Sequence, residues 1–302
     1  MLLAIHDHGG VAAAARALSF TPPAVSQQVA ALERQLGVTL LDRSQRAARL
    51  TSAGQRLAGH AERVLATLEA AEADMAAVGV GITGVLRVGA IPTMARALLP
   101  ATLARLRLVA PDLQLRIQQM EAEESLPALK RGELDVVLAG EYRIVPARPS
   151  PWLERRDLWI EDVLVAVPDG HQLAGTEVGL ARLADAEWLA PTPGSACHAL
   201  LQRSCGMAGF EPRLIGHCGD FDVALALVAA GHGIALVPRL AVASDPAPRV
   251  RLLTPVDPVV QRTLFAAVRR GAGDHPAIAC FIDALPVPPE IDESDALPPF
   301  AR

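Results

Sequence analysis

The 302-residue chain has no run of 18 consecutive apolar residues and no basic segment leading into a short apolar one, although 51% of it is hydrophobic. It therefore lacks the pattern of a membrane-spanning helix and of a secretory leader, and it reads as soluble, cytoplasmic and without a membrane partner. Its four cysteines, Cys197, Cys205, Cys218 and Cys280, show no C-x-x-C spacing. That favours reduced thiols over a disulfide framework. No G-x-S-x-G, H-E-x-x-H or phosphate loop occurs, so no catalytic site, metal or cofactor is expected. Gly79-x-Gly81-x-x-Gly84 has the letters of a dinucleotide loop but precedes the first expected strand instead of following one. His6 and His8 have no third ligand nearby, and His171, His198, His217 and His232 read as turn or surface residues.

The net charge of −5 argues against nucleic acid, but its distribution does not. Residues 1–60 carry +3 and the remaining 242 carry −8. A basic head on an acidic body suits DNA contact confined to the head.

Residues 19–36 organise the head. Thr21 is a good N-cap and Pro22 suits the first helical position. Val25, Val29, Leu32 and Leu36 form one buried stripe at helical period, leaving Pro23, Ser26, Gln27, Ala30 and Arg34 on the opposite face. Gln pairs bidentately with adenine and Ser reaches either base pair, so that face can lie against base edges. A short helix at about Val11–Leu18 and a Ser19-Phe20 turn precede it, which is helix-turn-helix spacing. Gly37 ends the helix, and two short strands, Val38–Leu41 and Ala48–Leu50, flank a wing carrying Arg43, Arg46 and Arg49 for phosphates.

With these residues in place the chain resembles the LysR-type transcriptional regulators. The family's N-terminal signature stands here as Ala14-Ala15, Leu18, Thr21, Pro23-Ala24-Val25-Ser26, Gln28-Val29, Leu32-Glu33, Leu36-Gly37, Leu40-Leu41, Arg43, Arg46, Leu50-Thr51 and Ala53-Gly54. Pro22 departs from it, since the family usually has Gln there, and a base-reading side chain is lost. The expected DNA contacts are Thr21, Pro22, Pro23, Ser26 and Gln27, then Arg34, and in the wing Arg43, Arg46, Arg49 and Thr51. Met1–His8 is too short for the family's first helix, so the chain is expected to begin inside it.

Residues 56–79 are expected to form a rod of about 35 Å at 1.5 Å per residue. Its apolar seam includes Leu57, Val64, Leu65, Leu68 and Met75. Such a seam needs a partner, and the resemblance implies that this linker helix is the dimer contact, with two dimers joining into a tetramer that bends DNA. Gly79, Gly81 and Gly84 then supply a joint.

From Val85 the pattern alternates strand and helix, with a Pro- and Arg-rich loop at 141–157. The expected fold is α/β: a winged helix-turn-helix over 1–58, the linker helix, and a mostly parallel two-lobed domain over 83–285 resembling periplasmic binding proteins. Lobe I would comprise 83–161 and 262–285, lobe II 162–261, and 286–302 a disordered tail. Gly132-Glu133-Leu134-Asp135 and the glycine turn Gly231–Pro238 match the family's effector domain. The cleft should offer helix N-termini at Thr93-Met94, Gly194-Ser195 and Asp220, over a floor of Ala139, Gly140 and Glu141. The expected effector is a small carboxylate, aromatic or an amino acid.

The resulting expectation is a one-component regulator, not an enzyme, that binds double-stranded DNA, itself and a small-molecule effector, with RNA polymerase as a further partner the resemblance allows. The rival reading is a solute-binding protein or small-molecule enzyme with an N-terminal oligomerisation module. Peroxide-sensing members of the family carry two cysteines in a region comparable to that of Cys197 and Cys205. On one intact helix, eight residues span about 12 Å, beyond the roughly 7 Å between Cα atoms that a disulfide tolerates.

Overall fold

The computed structural model describes residues 1–43, 48–146, 150–173, 175–242 and 249–286. Helix α1 (Leu2–His8) forms in seven residues because Leu2 and Ile5 reach the head core, where Ala14 and Ala15 of α2 (Val11–Ala17) meet them. Helix α3 (Pro22–Leu36) starts where Thr21 Oγ1 accepts the Ala24 N–H at 3.4 Å and ends at Gly37, whose φ of 67° is the left-handed geometry of a helix stop. Val25 and Val29 are buried and Leu32 half-buried, but Leu36 is 46% exposed. The last turn of α3 runs out beyond the head core, so Leu36 leaves the expected stripe.

Strands β1 (Leu41–Asp42) and β2 (Arg49–Leu50) pair antiparallel as the base of a wing. Arg46 lies outside the described residues. Helix α4 (Ser52–Val80) starts four residues earlier than expected and continues through Gly59. Its 29 residues extend about 43 Å. Gly54 explains the join of wing and rod: a Cβ there would sit 2.3 Å from the Leu40 carbonyl oxygen.

Beyond α4, a parallel β-α-β-α-β run comprises β3 (Gly84–Ala90), α5 (Pro92–Val109), β4 (Leu113–Gln119), α6 (Ala122–Lys130) and β5 (Val136–Tyr142). A 16-residue strand follows, β6 (Leu153–Pro168), so of the segment expected as loop over 141–157 the two ends belong to β5 and β6, while the described residues between them, 143–146 and 150–152, are irregular. Next come β7 (Glu177–Gly179), β8 (Glu187–Ala190), α7 (Ala196–Met207), β9 (Arg213–His217), α8 (Phe221–Ala229) and β10 (Ala235–Pro238). The described chain closes with β11 (Val250–Asp257), β12 (Gln261–Arg269) and α9 (Pro276–Ala284). Strands β7 and β11 were not foreseen.

One strand serves both lobes. β12 pairs with β6 as far as Gln261↔Asp162, and β10 and β11 take over from Val163. β12 runs antiparallel to both β5 and β6, so only β4-β3-β5 keeps the parallel arrangement expected of the first lobe. In the second lobe β8 pairs parallel with β9 and bridges to Ile234 beside β10. Each lobe buries apolar side chains on both sheet faces, as helix-covered sheets do. No helix among the described residues is long and apolar enough to cross a membrane. The expected tail, apart from Pro286, lies outside the described residues.

Candidate functional site

Two regions gather the expected functional residues, the outer face of the head and the cleft between the lobes. On the head, Pro23, Gln27 and Arg34 are exposed along α3, while Ser26 and Ala30 are half-buried. Gln27, Ala30 and Arg34 border an open concavity of about 710 Å³ with Gly37, Val38 and Thr39. A second, of about 650 Å³, lies beside Arg43 and Arg49. Glu33 fixes these surfaces relative to each other. One carboxylate oxygen accepts the Leu40 and Leu41 N–H groups at 2.7 and 2.9 Å, and the other accepts from Arg43 at 3.0 Å. Burial would raise its pKa, but the two backbone donors and Arg43 outweigh that and hold it below the ordinary glutamate value.

Thr51 borders the concavity with Arg43 and Arg49, with its hydroxyl already engaged. It donates its hydroxyl to the Thr39 carbonyl at 2.8 Å and accepts the Gly54 N–H at 3.1 Å, so it ties the wing to α4. Thr21 remains at the surface but serves as the α3 cap, with Pro22 beside it. Along α4, Val64, Leu65, Leu68 and Met75 are 66%, 48%, 54% and 71% exposed. Leu57 is different: it packs against the head core, because the first turns of α4 lie on that core.

The cleft is a cavity of about 280 Å³ edged by the N-terminal turns of α5, α6, α7 and α8. Of the residues anticipated there, Thr93, Gly140, Gly194 and Ser195 line it. Met94 does not, being fully buried in the first lobe's core. Ala139 faces the opposite side of β5 from Gly140, as alternation along a strand requires, and packs with Leu129 and Phe265. Glu141 turns to an ion pair with Arg155. Asp220 caps α8, accepting the Asp222 and Val223 N–H groups at 2.7 and 3.4 Å, while its neighbours Gly219 and Phe221 reach the cavity.

Sequence reasoning missed the group at the cavity's base. Arg262 on β12 is 2% exposed, bonds Glu161 of β6 at 2.5 Å and donates to Thr93 Oγ1 at 3.0 Å. The second Glu161 oxygen accepts the Leu240 N–H at 2.7 Å. The signal was present: an arginine within the apolar β12 segment and a glutamate after Leu158-Trp159-Ile160 are rarely buried unless paired. Tyr142 Oη lies 2.9 Å from Cys197 Sγ, at the second residue of α7. Burial pushes the Cys197 thiol up, with Tyr142 and Arg262 opposing. Cys205 is fully buried on the same helix, its pKa raised by burial to about 12. Cys218 is a further cavity residue.

The family profile described as LysR substrate binding domain matches residues 80–286, and that of the bacterial regulatory helix-turn-helix protein, lysR family, matches residues 1–55. The chain belongs to the LysR family of transcriptional regulators. It is a LysR-type DNA-binding regulator with an effector-binding domain. A probable hydrogen peroxide-inducible genes activator of Streptomyces viridosporus is 34% identical over 276 residues, covering 89% of this chain and 86% of that protein. The DNA-binding transcriptional dual regulator OxyR of Escherichia coli K12 is 29% identical over 276 residues, covering 90% and 88%. Among solved structures, an H2O2-bound mutant of Corynebacterium glutamicum OxyR has a TM-score of 0.57 at 26% identity, covering 94% of this chain and 90% of that one.

Proposed function

We propose that this LysR-type regulator reads a short operator half-site with α3, in the cytoplasm, and senses a small molecule in the interlobe cleft without catalysing a reaction. The observation that carries the DNA-binding part is the exposed Gln27 and Arg34 edge of α3 beside Arg43 and Arg49 of the wing, with Glu33 fixing the two together. Gln27 with Ser26 and Pro23 faces the bases, and the arginines, Arg46 among them, meet phosphates. The exposed seam of Val64, Leu65, Leu68 and Met75 supports pairing of two chains through α4, and pairs of dimers form the tetramer. The test is a gel shift of the full chain on the DNA upstream of its own gene. Retention of that complex against a large excess of unrelated DNA of the same length is expected; equal competition by both DNAs refutes the reading.

Cys197 supports a second reading of the sensory step. It lines the cleft within reach of Tyr142 and Arg262, and several relatives are named for induction by hydrogen peroxide. Peroxide would convert the thiol to a sulfenic acid with release of water. Cys205 is no partner for it on an intact α7, since the eight-residue separation spans about 12 Å. Mass mapping after peroxide treatment and thiol blocking distinguishes the readings: an added oxygen on Cys197 with changed operator affinity supports oxidation, and an unmodified Cys197 leaves ligand binding as the switch.

A further inference from the structure

The cleft already contains a carboxylate. Glu123, in the first turn of α6, sends its side chain across the cleft, where Oε1 accepts the N–H of Ala196 at 2.8 Å. Acidic residues in a first turn ordinarily stabilise their own helix. Glu123 instead reaches the opposite lobe, 73 residues along the chain, and takes the first free N–H of α7. That N–H is the donor a bound anion would use. Another, on His198, is taken at 3.1 Å by Ser195 Oγ.

The cations around the cleft are committed in the same way. Arg262 is the one cation among the described residues lining it; its Nε and Nη2 are bonded to Glu161 and Thr93, and the Glu161 carboxylate offsets its charge. Arg96, one turn along α5 from Thr93, bonds both Asp222 oxygens at 2.7 and 2.6 Å and the Ala241 carbonyl at 2.8 Å. Against them stand Glu121, Glu123 and Glu124 on the rim. Burial and the neighbouring Glu123 raise the Glu121 carboxyl above its ordinary value, with Arg262 opposing, as expected where negative charge is already in excess.

We infer that the cleft selects a neutral or cationic small molecule, with Glu123 as the residue that excludes anions by occupying their seat on α7. This rests on the cleft being the sensory site, and it replaces the carboxylate effector expected from sequence. A ligand with a hydroxyl or ammonium group would hydrogen-bond to the glutamates on the rim, whereas a carboxylate would have to displace Glu123 and meet two more acids. The one cation it would meet, Arg262, already has its charge paired with Glu161.

The experiment uses the full-length protein, with inorganic phosphate and benzoate as anionic probes and benzamidine as a cation of benzoate's shape. Calorimetry compares the parent, Glu123→Ala, which vacates the Ala196 N–H, and Glu123→Gln, which keeps an acceptor without the charge. Phosphate and benzoate should bind Glu123→Ala at least ten-fold more tightly than the parent, with Glu123→Gln between them. Benzamidine should weaken in both variants. If the parent binds benzoate as tightly as Glu123→Ala, or if neither variant gains anion affinity, the inference is overturned. Gel shifts of the same samples separate this from the sensing role: anion binding gained as expected but with no effect on the operator complex upholds the charge selection and removes the sensory reading.

Discussion

Substituting Glu161 by Gln leaves a shape-matched acceptor but removes the charge that Arg262 faces. The pair is buried at the base of the cavity, with side chains 3% and 4% exposed, and its partners include one hydroxyl, Thr93 Oγ1, and one backbone donor, Leu240 N–H. Breaking one side of a buried ion pair strands the other charge and costs about 3–5 kcal/mol. In a domain of 150–250 residues, each kcal/mol lowers the melting temperature by about 2–4 °C. Glu161→Gln should therefore melt roughly 6–20 °C below the parent, read by circular dichroism on the full chain at neutral pH. Replacing both partners by apolar residues, Glu161→Leu with Arg262→Met, should lie closer to the parent than either single change, because no charge is left uncompensated. A Glu161→Gln protein melting within about 2 °C of the parent would mean that water reaches Arg262, and the closed base of the cleft would be refuted.

Four further outcomes follow from the same geometry. Gln27→Ala should cost roughly 1–3 kcal/mol at one base position of the operator, measured across a set of single-base variants by fluorescence anisotropy. Arg49→Ala should weaken all sequences alike and reduce the salt slope of binding by about one, whereas an unchanged slope would take Arg49 off the phosphates. Leu68→Glu places a charge on a seam residue that is 54% exposed in one chain, so it should sediment as a smaller species while the cleft domain keeps its melting transition; parent-like sedimentation would show that the seam has no partner. Glu33 has a lowered pKa in the folded head, so its contribution to stability is present above the ordinary value near 4.5 and is lost as pH falls through the folded value. The protection factors of the Leu40 and Leu41 amides, taken relative to the intrinsic rate at each pH, should fall on acidification in the parent, and Glu33→Gln should show lower protection already at neutral pH with less further change.

The head was legible because its signals are local. A cap, a first-position proline, a four-residue apolar period and a stop glycine lie within 17 residues, and the structure builds α3 between those marks. The same local reading placed Thr51 with the DNA contacts and Leu57 on the seam. It could not show the contacts made across the fold, the tie of Thr51 to Thr39 and Gly54 and the packing of Leu57 on the head core. In the cleft, positions at strand ends and helix starts could be anticipated from α/β alternation, and Thr93, Gly140, Gly194 and Ser195 lie there. The charge balance could not. It depends on Glu161 meeting Arg262, which lies 101 residues away, and on Glu123 crossing to Ala196. Strand β11 escaped notice because Pro255 within Leu253-Thr254-Pro255 argues against a paired strand.

The central claim is sequence-specific reading of DNA by the exposed face of α3. DNase protection across the region upstream of its own gene, comparing the parent with Gln27→Ala at equal protein concentration, tests it most directly. The parent should protect one bounded tract with two half-sites spaced by whole helical turns, and Gln27→Ala should lose that tract while retaining weak coverage elsewhere. Identical protection by both proteins, or uniform coverage with no bounded tract by the parent, would contradict the account.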